Sequence, residues 1–274
     1  MKSLTTIGKI FILPLFLILL YSCTKKSSDN TEQETRGNVI FTFAHHVNGG
    51  SLKFDSMLYR TSTGNQYMVD NLQYFISRVS LHAVNGSWTA IQTDDGIHYI
   101  DASENNSCTW WVNDVLPSVS YDTLSFIFGL DEDQNISGRF ANPPERDMSW
   151  PDLLGGGYHY MMLDLKWKND TMTKTQPFNF HLGIGQVYAG NSVNTDSIIG
   201  FVQNYFKVSL PFNLDLSKAG YHPVLIEMNI EKWFDNQYAF NFSSYPNGIM
   251  QDQEGMFKAC MNGRKAFNVI ITNK

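Results

Sequence analysis

Hydrophobic residues alternate with polar ones in many short stretches of this chain. Three runs show the alternation: Val39, Phe41 and Phe43; Leu124, Phe126 and Phe128; and Phe178, Phe180 and Leu182. A period of two is typical of strands that bury one face. Turns rich in asparagine and glycine separate the runs, for example at 47–50 and 84–87, and these residues tolerate the positive φ of tight turns. The pattern predicts an all-β protein, an antiparallel β-sandwich of about ten strands. Short helical insertions are expected near 210–220 and 251–263.

The first 23 residues follow a different pattern. Lys2 and Lys9 precede an unbroken apolar run over residues 10–22, which is short for a membrane span and typical of an export signal. The run ends in the tetrapeptide LYSC, which resembles a bacterial lipobox with Cys23 as the lipid-bearing residue. We expect a lipoprotein, and an ordinary cleaved signal or a short membrane anchor is the alternative.

The segment after Cys23 predicts a flexible tether. Residues 24–36 contain no aliphatic or aromatic side chain, so this segment cannot offset the entropy of ordering. The predicted organisation is a signal peptide over 1–22, a tether over 23–36 and one β domain over 37–274. The expected location is the bacterial cell envelope, in the periplasm or on the outer-membrane surface, with the lipid as the membrane attachment.

Composition and charge narrow the class of partner. Apolar residues make up 43% of the chain and aromatic residues 14%, which is enough for a hydrophobic core. Loss of residues 1–22 removes two lysines and leaves 18 basic against 26 acidic side chains, a net charge of −8. Because nucleic acid is also negatively charged, we do not expect it to be a partner. Cys108 and Cys260 either form a disulfide, which export would permit, or stay as two separate thiols.

Histidines are the candidate chemical groups, because the chain has no phosphate-binding loop, nucleophile elbow or zinc-protease motif. We therefore expect a binding protein and not an enzyme. His45 continues the face of Phe41 and Phe43, whereas His181 lies on the face opposite Phe178 and Phe180 and is followed by two nearby glycines. For each histidine taken alone, a hydrogen-bonded structural role is the alternative.

Six segments, in order and spacing, resemble the MbnP-like copper-binding proteins. They are FTFAHHVNGGSL (41–52), YMVDNLQYFISRVSL (67–81), IHYIDA (97–102), LSFIFGLDEDQNISG (124–138), MSWPDLLGGGYHYMMLDL (148–165) and FNFHLG (178–183). The resemblance implies a β-sandwich that holds one copper ion through histidine nitrogens. In some members a tryptophan oxidised to kynurenine assists, and a periplasmic di-haem peroxidase-like protein is the implied partner.

The resemblance also implies which residues would serve. His45 and His181 match the histidine positions, Trp150 matches the tryptophan, and His98 is a weaker match. Neutral imidazole suits copper, and Met148 is a candidate soft neighbour. The chain departs from the family pattern beside the tryptophan, where Ser149 replaces an aromatic residue and Asp152 replaces a second tryptophan. A packing role for Trp150 is the alternative to oxidation.

An acidic loop gives a second metal hypothesis. Asp131, Asp133 and Asn135 place oxygen atoms at alternating positions, as calcium loops do. The loop lacks the glycine and glutamate of an EF-hand, because Ile136 and Asn142 occupy those places. A solvated acidic turn is the alternative.

Two functions follow from these observations. The first is a copper-binding lipoprotein of the cell envelope. The second is a surface module that binds a non-metal ligand or a protein through tryptophans such as Trp88, Trp110 and Trp111, since sandwiches host both functions.

Overall fold

The computed structural model describes residues 37–190 and 193–271, which form fifteen strands and two α-helices. The strands are β1 Gly37–Val47, β2 Gly50–Ser51, β3 Tyr59–Arg60, β4 Gln66–Ala83, β5 Trp88–Ala90, β6 Ile97–Asp101, β7 Thr109–Trp111, β8 Ser120–Phe128, β9 Met161–Lys168, β10 Gln176–Leu182, β11 Gly185–Tyr188, β12 Ile198–Val202, β13 Phe206–Asp215, β14 Gly220–Asn229 and β15 Phe267–Ile271. The helices are α1 Glu231–Phe234 and α2 Gln253–Gly263. Single 3-10 turns occupy Thr93–Gly96, Glu145–Met148, Asp152–Leu154, Thr195–Ser197 and Phe242–Ser244.

The strands form two large sheets and one small one. The five-stranded sheet pairs β15, β14, β1 and β2 in that order, with β7 also on β1. The eight-stranded sheet pairs β10, β9, β4, β8 and β13, and β3, β5 and β6 also pair with β4. Strands β11 and β12 form a separate hairpin. The predicted all-β sandwich is confirmed, and the count exceeds ten because β2, β3, β5 and β7 have only two or three residues each.

One strand pair differs from the predicted antiparallel arrangement. Strands β1 and β14 run parallel from Gly37↔Gly220 to His46↔Asn229, while the other pairs of named strands in the described chain are antiparallel. Parallel neighbours need a long connection. Here most of the domain provides that connection, since it lies between the two strands in sequence. Because the strands are parallel, both begin at the same end of the sandwich.

The predicted alternation defines the core. Along β1 every second residue is buried, and Phe41 is fully inaccessible. Phe128 on β8 and Phe180 on β10 are also fully inaccessible and point into the same cluster from the eight-stranded sheet. Burial of these large aromatic surfaces between the sheets is the main force that holds the sandwich together.

One helix prediction is confirmed and one is wrong. Helix α2 covers the predicted 251–263 region, and the Asp252 side chain caps its amino terminus by accepting a hydrogen bond from the Gly255 backbone at 2.8 Å. Residues 206–215 instead continue as strand β13. Pro211 is accommodated there because the β13–β8 register shifts between Pro211 and Leu214, as proline in a sheet requires.

The two cysteines do not pair with each other. Cys108 Sγ lies 3.4 Å from the Asp101 carbonyl oxygen, and Cys260 Sγ lies 3.1 Å from the Asn204 carbonyl oxygen. The disulfide considered from the sequence is therefore wrong, because the two thiols are placed on separate elements with separate partners.

The predicted signal peptide, Cys23 and the tether lie outside the described residues. Within residues 37–190 and 193–271, no helix is long and apolar enough to cross a membrane.

Candidate metal centre

A short hairpin before β9 places an indole against an imidazole. The Trp150 backbone donates to the Gly157 carbonyl at 2.9 Å, and the His159 backbone donates to the Met148 carbonyl at 2.7 Å. Gly155, Gly156 and Gly157 reverse the chain between these strands with φ values of 114°, 68° and 78°, a conformation that side chains disfavour. The hairpin brings the Trp150 and His159 rings to 4.6 Å between centroids, in an edge-on arrangement.

His181 meets this hairpin from β10. Its ring centroid lies 5.1 Å from that of His159, with the ring planes nearly perpendicular at 86°. Both side chains are buried, each with 7% exposure. We call His159 and His181 the outer pair, because they lie on the face of the eight-stranded sheet that points away from the core.

Hydrogen bonds fix which nitrogen of each ring carries the proton. His181 Nε2 lies 2.8 Å from Asp164 Oδ1, and His159 Nδ1 lies 3.0 Å from the Met148 carbonyl oxygen. A carboxylate or carbonyl oxygen only accepts, so each of these nitrogens donates an N–H when the ring is neutral. When each ring is neutral, the opposite nitrogens, His181 Nδ1 and His159 Nε2, carry the lone pairs.

The charge state suits metal binding. Burial, followed by the proximity of His181, lowers the pKa of His159 to about 4, so this ring is neutral at physiological pH. Burial opposes ionisation of Asp164, but hydrogen bonds from His181 and Asn71 hold its pKa below the usual value. The Asn71 amide donates to the second oxygen of Asp164 at 3.0 Å. Asp164 is therefore a charged, oriented acceptor for the His181 ring.

One atom of the outer pair is unsatisfied. His181 Nδ1 is buried and has no hydrogen-bond partner among the described residues. A buried polar atom without a partner costs about 1–3 kcal/mol, and such an atom is uncommon unless a water, an ion or a function accounts for it. The donor set therefore fits a metal ion that accepts a lone pair from imidazole.

Trp150 forms a wall of this centre. The ring covers Gly183, where an added Cβ would come within 2.5 Å of the indole, so the glycine after Leu182 permits the close approach predicted from the sequence. The indole Nε1 donates to the Leu154 carbonyl at 3.1 Å, and the side chain is 2% exposed. A surface cavity of about 360 Å³ borders Trp150, Ser149 and Pro151.

His45 does not join the outer pair, contrary to the sequence-based hypothesis. Its Nε2 lies 3.0 Å from the hydroxyl of Tyr74, between the two sheets, and burial lowers its pKa to about 4. Tyr74 pairs with Met161, and Met161 pairs in turn with Leu182. Because successive residues of a strand point to opposite faces, Tyr74 faces the core while His181, one residue before Leu182, faces outward. The eight-stranded sheet thus separates the two predicted ligands.

His98 also has a place in the core and not at the outer pair. Its ring stacks between Phe43 and Trp110, with centroid distances of 5.3 and 5.0 Å. His98 Nε2 donates to the Ser107 carbonyl at 2.8 Å, and burial lowers the pKa of the ring to about 4. We call His45 and His98 the core histidines, and both have the structural environment that was the alternative reading of the sequence.

The side chains of the predicted calcium loop bond other protein groups. The Asp131 carboxylate accepts two hydrogen bonds from Arg78, at 2.6 and 3.1 Å, and Asp133 lies 3.6 Å from the same guanidinium. The side-chain oxygen Oδ1 of Asn135 accepts a hydrogen bond from the Tyr158 backbone N–H at 2.8 Å. Arg78 pairs with both carboxylates and Asn135 bonds the backbone, so the three side chains have protein partners in this structure, and the calcium site stays a prediction.

Sequence reasoning missed His159 and Asp164. The signal that could have identified His159 is the spacing of Trp150, three glycines and His159, which favours a hairpin with both rings on it. Asp164 alternates with the apolar residues of β9 and so shares the outward face. Within the part of the chain that the structure describes, no group of three or more His, Cys, Asp or Glu side chains is arranged around one metal position. The His159 and His181 rings are in contact, with 5.1 Å between their centroids.

Comparison with known proteins gives one family and one fold match. A family model described as MbnP matches residues 36–251. The solved structure of MbnP from Methylosinus trichosporium aligns with 86% of this chain and 99% of its own, with a TM-score of 0.54 and 16% sequence identity. At that identity the structural likeness supports the fold. No curated protein matches the sequence.

Proposed function

The chain belongs to the MbnP family, and on that premise we propose that it is a copper-binding protein whose ligands are His159 and His181. The observation that carries the proposal is the buried His181 Nδ1 atom, which has no hydrogen-bond partner in the described chain and belongs to a ring in contact with the His159 imidazole. Copper is the metal suggested by the family resemblance, and imidazole nitrogen is one of its common protein ligands.

The residues around the outer pair support the assignment. Metal-bound histidines usually donate their second N–H to a carboxylate or a carbonyl oxygen, which fixes the ring and its tautomer. Asp164 provides the carboxylate for His181 and the Met148 carbonyl serves His159. Two protein ligands leave coordination positions open, which suits an ion that is carried and passed on. Copper is thus treated as cargo, and we propose a binding protein, not an enzyme.

Copper titration tests the proposed ligands. We expect the metal-free protein to bind one equivalent of Cu(I) in competition with a chelator, and the H159A/H181A variant to lose this binding. The control is H82A/H222A, which removes two histidines whose rings bond Asp122 and the Lys218 carbonyl away from the centre. Stoichiometric binding by H159A/H181A at the parental affinity would refute the assignment.

We also propose that the protein is located in the cell envelope. This proposal is supported by the two lysines at the amino terminus, the apolar run that follows them and the lipobox-like LYSC sequence. Together they favour a lipoprotein anchored through Cys23. Intact mass of the protein isolated from membranes is expected to include a diacylglyceryl group and an acyl chain on Cys23, and C23S is expected to lose both.

Trp150 provides a way to test the proposed di-haem peroxidase-like partner. The indole is in ring contact with His159, so a change in its oxidation state would alter the surroundings of a proposed ligand. Peptide mass spectrometry of protein produced with and without such an enzyme tests this directly. An unchanged mass of the Trp150 peptide under both conditions would dismiss the partner.

A further inference from the structure

Five of the fourteen exposed large apolar side chains in the described part of the chain lie towards the end of the sandwich where the chain enters β1. Gly37 starts β1 beside Gly220, and an added Cβ on Gly37 would come within 2.9 Å of the Lys218 carbonyl oxygen. Strand β8 starts at the same end, because Ser120 pairs with Asp215 and Leu216 donates to Val119. We call this the proximal end.

Two further segments close the proximal end. Strand β4 finishes there, since Ala83 pairs with Tyr121, and the Val84 backbone donates to the Ser120 carbonyl at 3.0 Å. The chain after β7 also runs there, because Val112 donates to the Val39 carbonyl at 3.1 Å. The turn at 84–87 and the segment 113–119 therefore flank the point at which the chain arrives.

The proximal end carries five largely exposed apolar side chains. Their exposed fractions are 50% for Trp88, 53% for Trp111, 63% for Tyr221, 64% for Val84 and 76% for Val115. The Trp111 and Tyr221 rings contact each other at 5.4 Å between centroids. The chain has six tryptophans, and the other four are buried. Both exposed tryptophans thus lie at one end, on different sheets.

We propose that the proximal end rests on the phospholipid surface to which the protein is tethered. This inference rests on the proposed anchor at Cys23, which lies 14 residues before Gly37. The 14 residues reach at most about 50 Å and join the domain at Gly37, so the proximal end is the part of the domain to which the anchor is directly connected. Tryptophan and tyrosine favour the membrane–water interface because one side of each ring is apolar and the other polar.

The charges at the proximal end favour a zwitterionic surface. The Asp114 and Asp215 carboxylates accept hydrogen bonds from the backbone N–H groups of Thr93 and Ser217. The mature chain carries a net charge of −8, so an anionic membrane would repel it. Phosphatidylcholine is therefore the lipid surface for the test.

The orientation places the outer pair away from the lipid. His181 lies in register with Gln73 through Met162, and Gln73 precedes Ala83 by ten residues along β4. At about 3.3 Å per residue, this is roughly 30 Å from the proximal end. The centre would then face the aqueous compartment.

Quenching of tryptophan fluorescence by brominated lipids tests the orientation. The lipidated protein is placed in phosphatidylcholine vesicles with brominated or ordinary acyl chains. We expect bromine to quench a fraction of the emission in the parent, and W88F/W111F to lose that fraction. The inference is overturned by an unquenched parent or by equal quenching of the variant. A blue shift of the emission that grows with protein concentration without vesicles would assign this end to self-association and would also overturn it.

A second measurement separates this inference from the anchor. The mature chain with C23S, behind a conventional export signal, is sedimented with phosphatidylcholine vesicles over a range of lipid concentrations. We expect V115S/Y221S to reduce binding by about tenfold. The matched control I199S/F257S changes two exposed side chains elsewhere and should bind like its parent. If intact mass shows no lipid on Cys23, the proposed anchor is wrong, and the sedimentation experiment alone tests whether the proximal end binds lipid. Lipid binding by the proximal end is refuted if the C23S parent does not bind vesicles, or if V115S/Y221S and I199S/F257S bind equally.

Discussion

The core histidines and the outer pair have the same side chain and similar burial but different sets of partners. His45 shares its Nε2 with the Tyr74 hydroxyl, and His98 is stacked between two aromatic rings while it bonds the Ser107 carbonyl. In the outer pair one nitrogen of each ring is held by an acceptor, and His181 Nδ1 has no partner in the described chain. Each of the four rings has one hydrogen bond, so the outer pair is distinguished by the buried, partnerless His181 Nδ1 beside a second imidazole ring.

The difference has an origin in where each ring sits. The core histidines lie between two sheets whose aromatic residues fill the available space. The outer pair lies where a loop hairpin covers the back of one sheet, so two elements with independent backbones meet there. Such a junction can bring two imidazoles together without filling the space between them with side chains. The following predictions test this contrast, from the largest effect to the smallest.

The largest expected difference is between H181A, which should affect copper binding, and H98A, which should affect stability. H181A is expected to weaken copper binding by more than about 100-fold, because even the outer partners of a ligand contribute about 10–100-fold. H98A is expected to keep copper binding and to lose about 2–4 kcal/mol of unfolding free energy, since it leaves a cavity between Phe43 and Trp110. Chelator competition and chemical denaturation measure the two quantities. If H98A keeps a native fold but loses copper binding, the distinction between the core histidines and the outer pair is wrong.

Weakening the acceptor behind His181 should have the next largest effect. D164N removes the charge that orients the His181 ring, and we expect copper affinity to fall by about 10–100-fold with a native circular dichroism spectrum. D170N is the matched control, because Asp170 is an exposed carboxylate paired with Arg60. If both variants bind copper like the parent, Asp164 does not position a ligand.

Removing one hydroxyl from the core should affect stability alone. Y74F deletes the partner of His45 Nε2, and a buried polar atom left without a partner costs about 1–3 kcal/mol. The unfolding free energy should fall by that amount while copper affinity stays at the parental value. A parallel loss of copper affinity would mean that His45 contributes to the metal centre after all.

The smallest effect is on the pH dependence of folding in the metal-free protein. The pKa values of His45, His98 and His159 are each about 4 in the folded chain, against about 6.5 when unfolded. The unfolded state then binds more protons between pH 4 and 6.5, so stability falls as the pH is lowered through that window. H98Q should reduce the slope of unfolding free energy against pH by about 1.2 kcal/mol per pH unit near pH 5. F43L, which touches the same ring but removes no titratable group, should keep the slope.

The sequence predicts the strands better than it predicts their mutual arrangement. Alternation alone placed His181 on the face opposite Phe178 and Phe180, which the structure confirms. It could not show that His45 reaches the other face of that sheet, because this depends on the pairing of β4, β9 and β10 across the domain. It also could not show that a hairpin carrying His159 covers the outward face, since that contact is tertiary.

Local patterns are not sufficient where tertiary contacts decide. Asp131, Asp133 and Asn135 have calcium-like spacing, but Arg78 pairs with the first two. Arg78 has a positive φ of 51° at a bulge in β4, a conformation that no local sequence signal announces. The alternation of residues 210–215 is that of a strand, although a short helix was expected there.

The nitrogen-15 chemical shifts of the histidine rings on addition of Cu(I) test the central claim most directly. Cu(I) is diamagnetic, so each ring nitrogen can be followed before and after one equivalent of metal. We expect large shifts for His181 Nδ1 and His159 Nε2, with the nitrogens of His45 and His98 unchanged. Shifts at His45 or His98, with the outer pair unaffected, would contradict it.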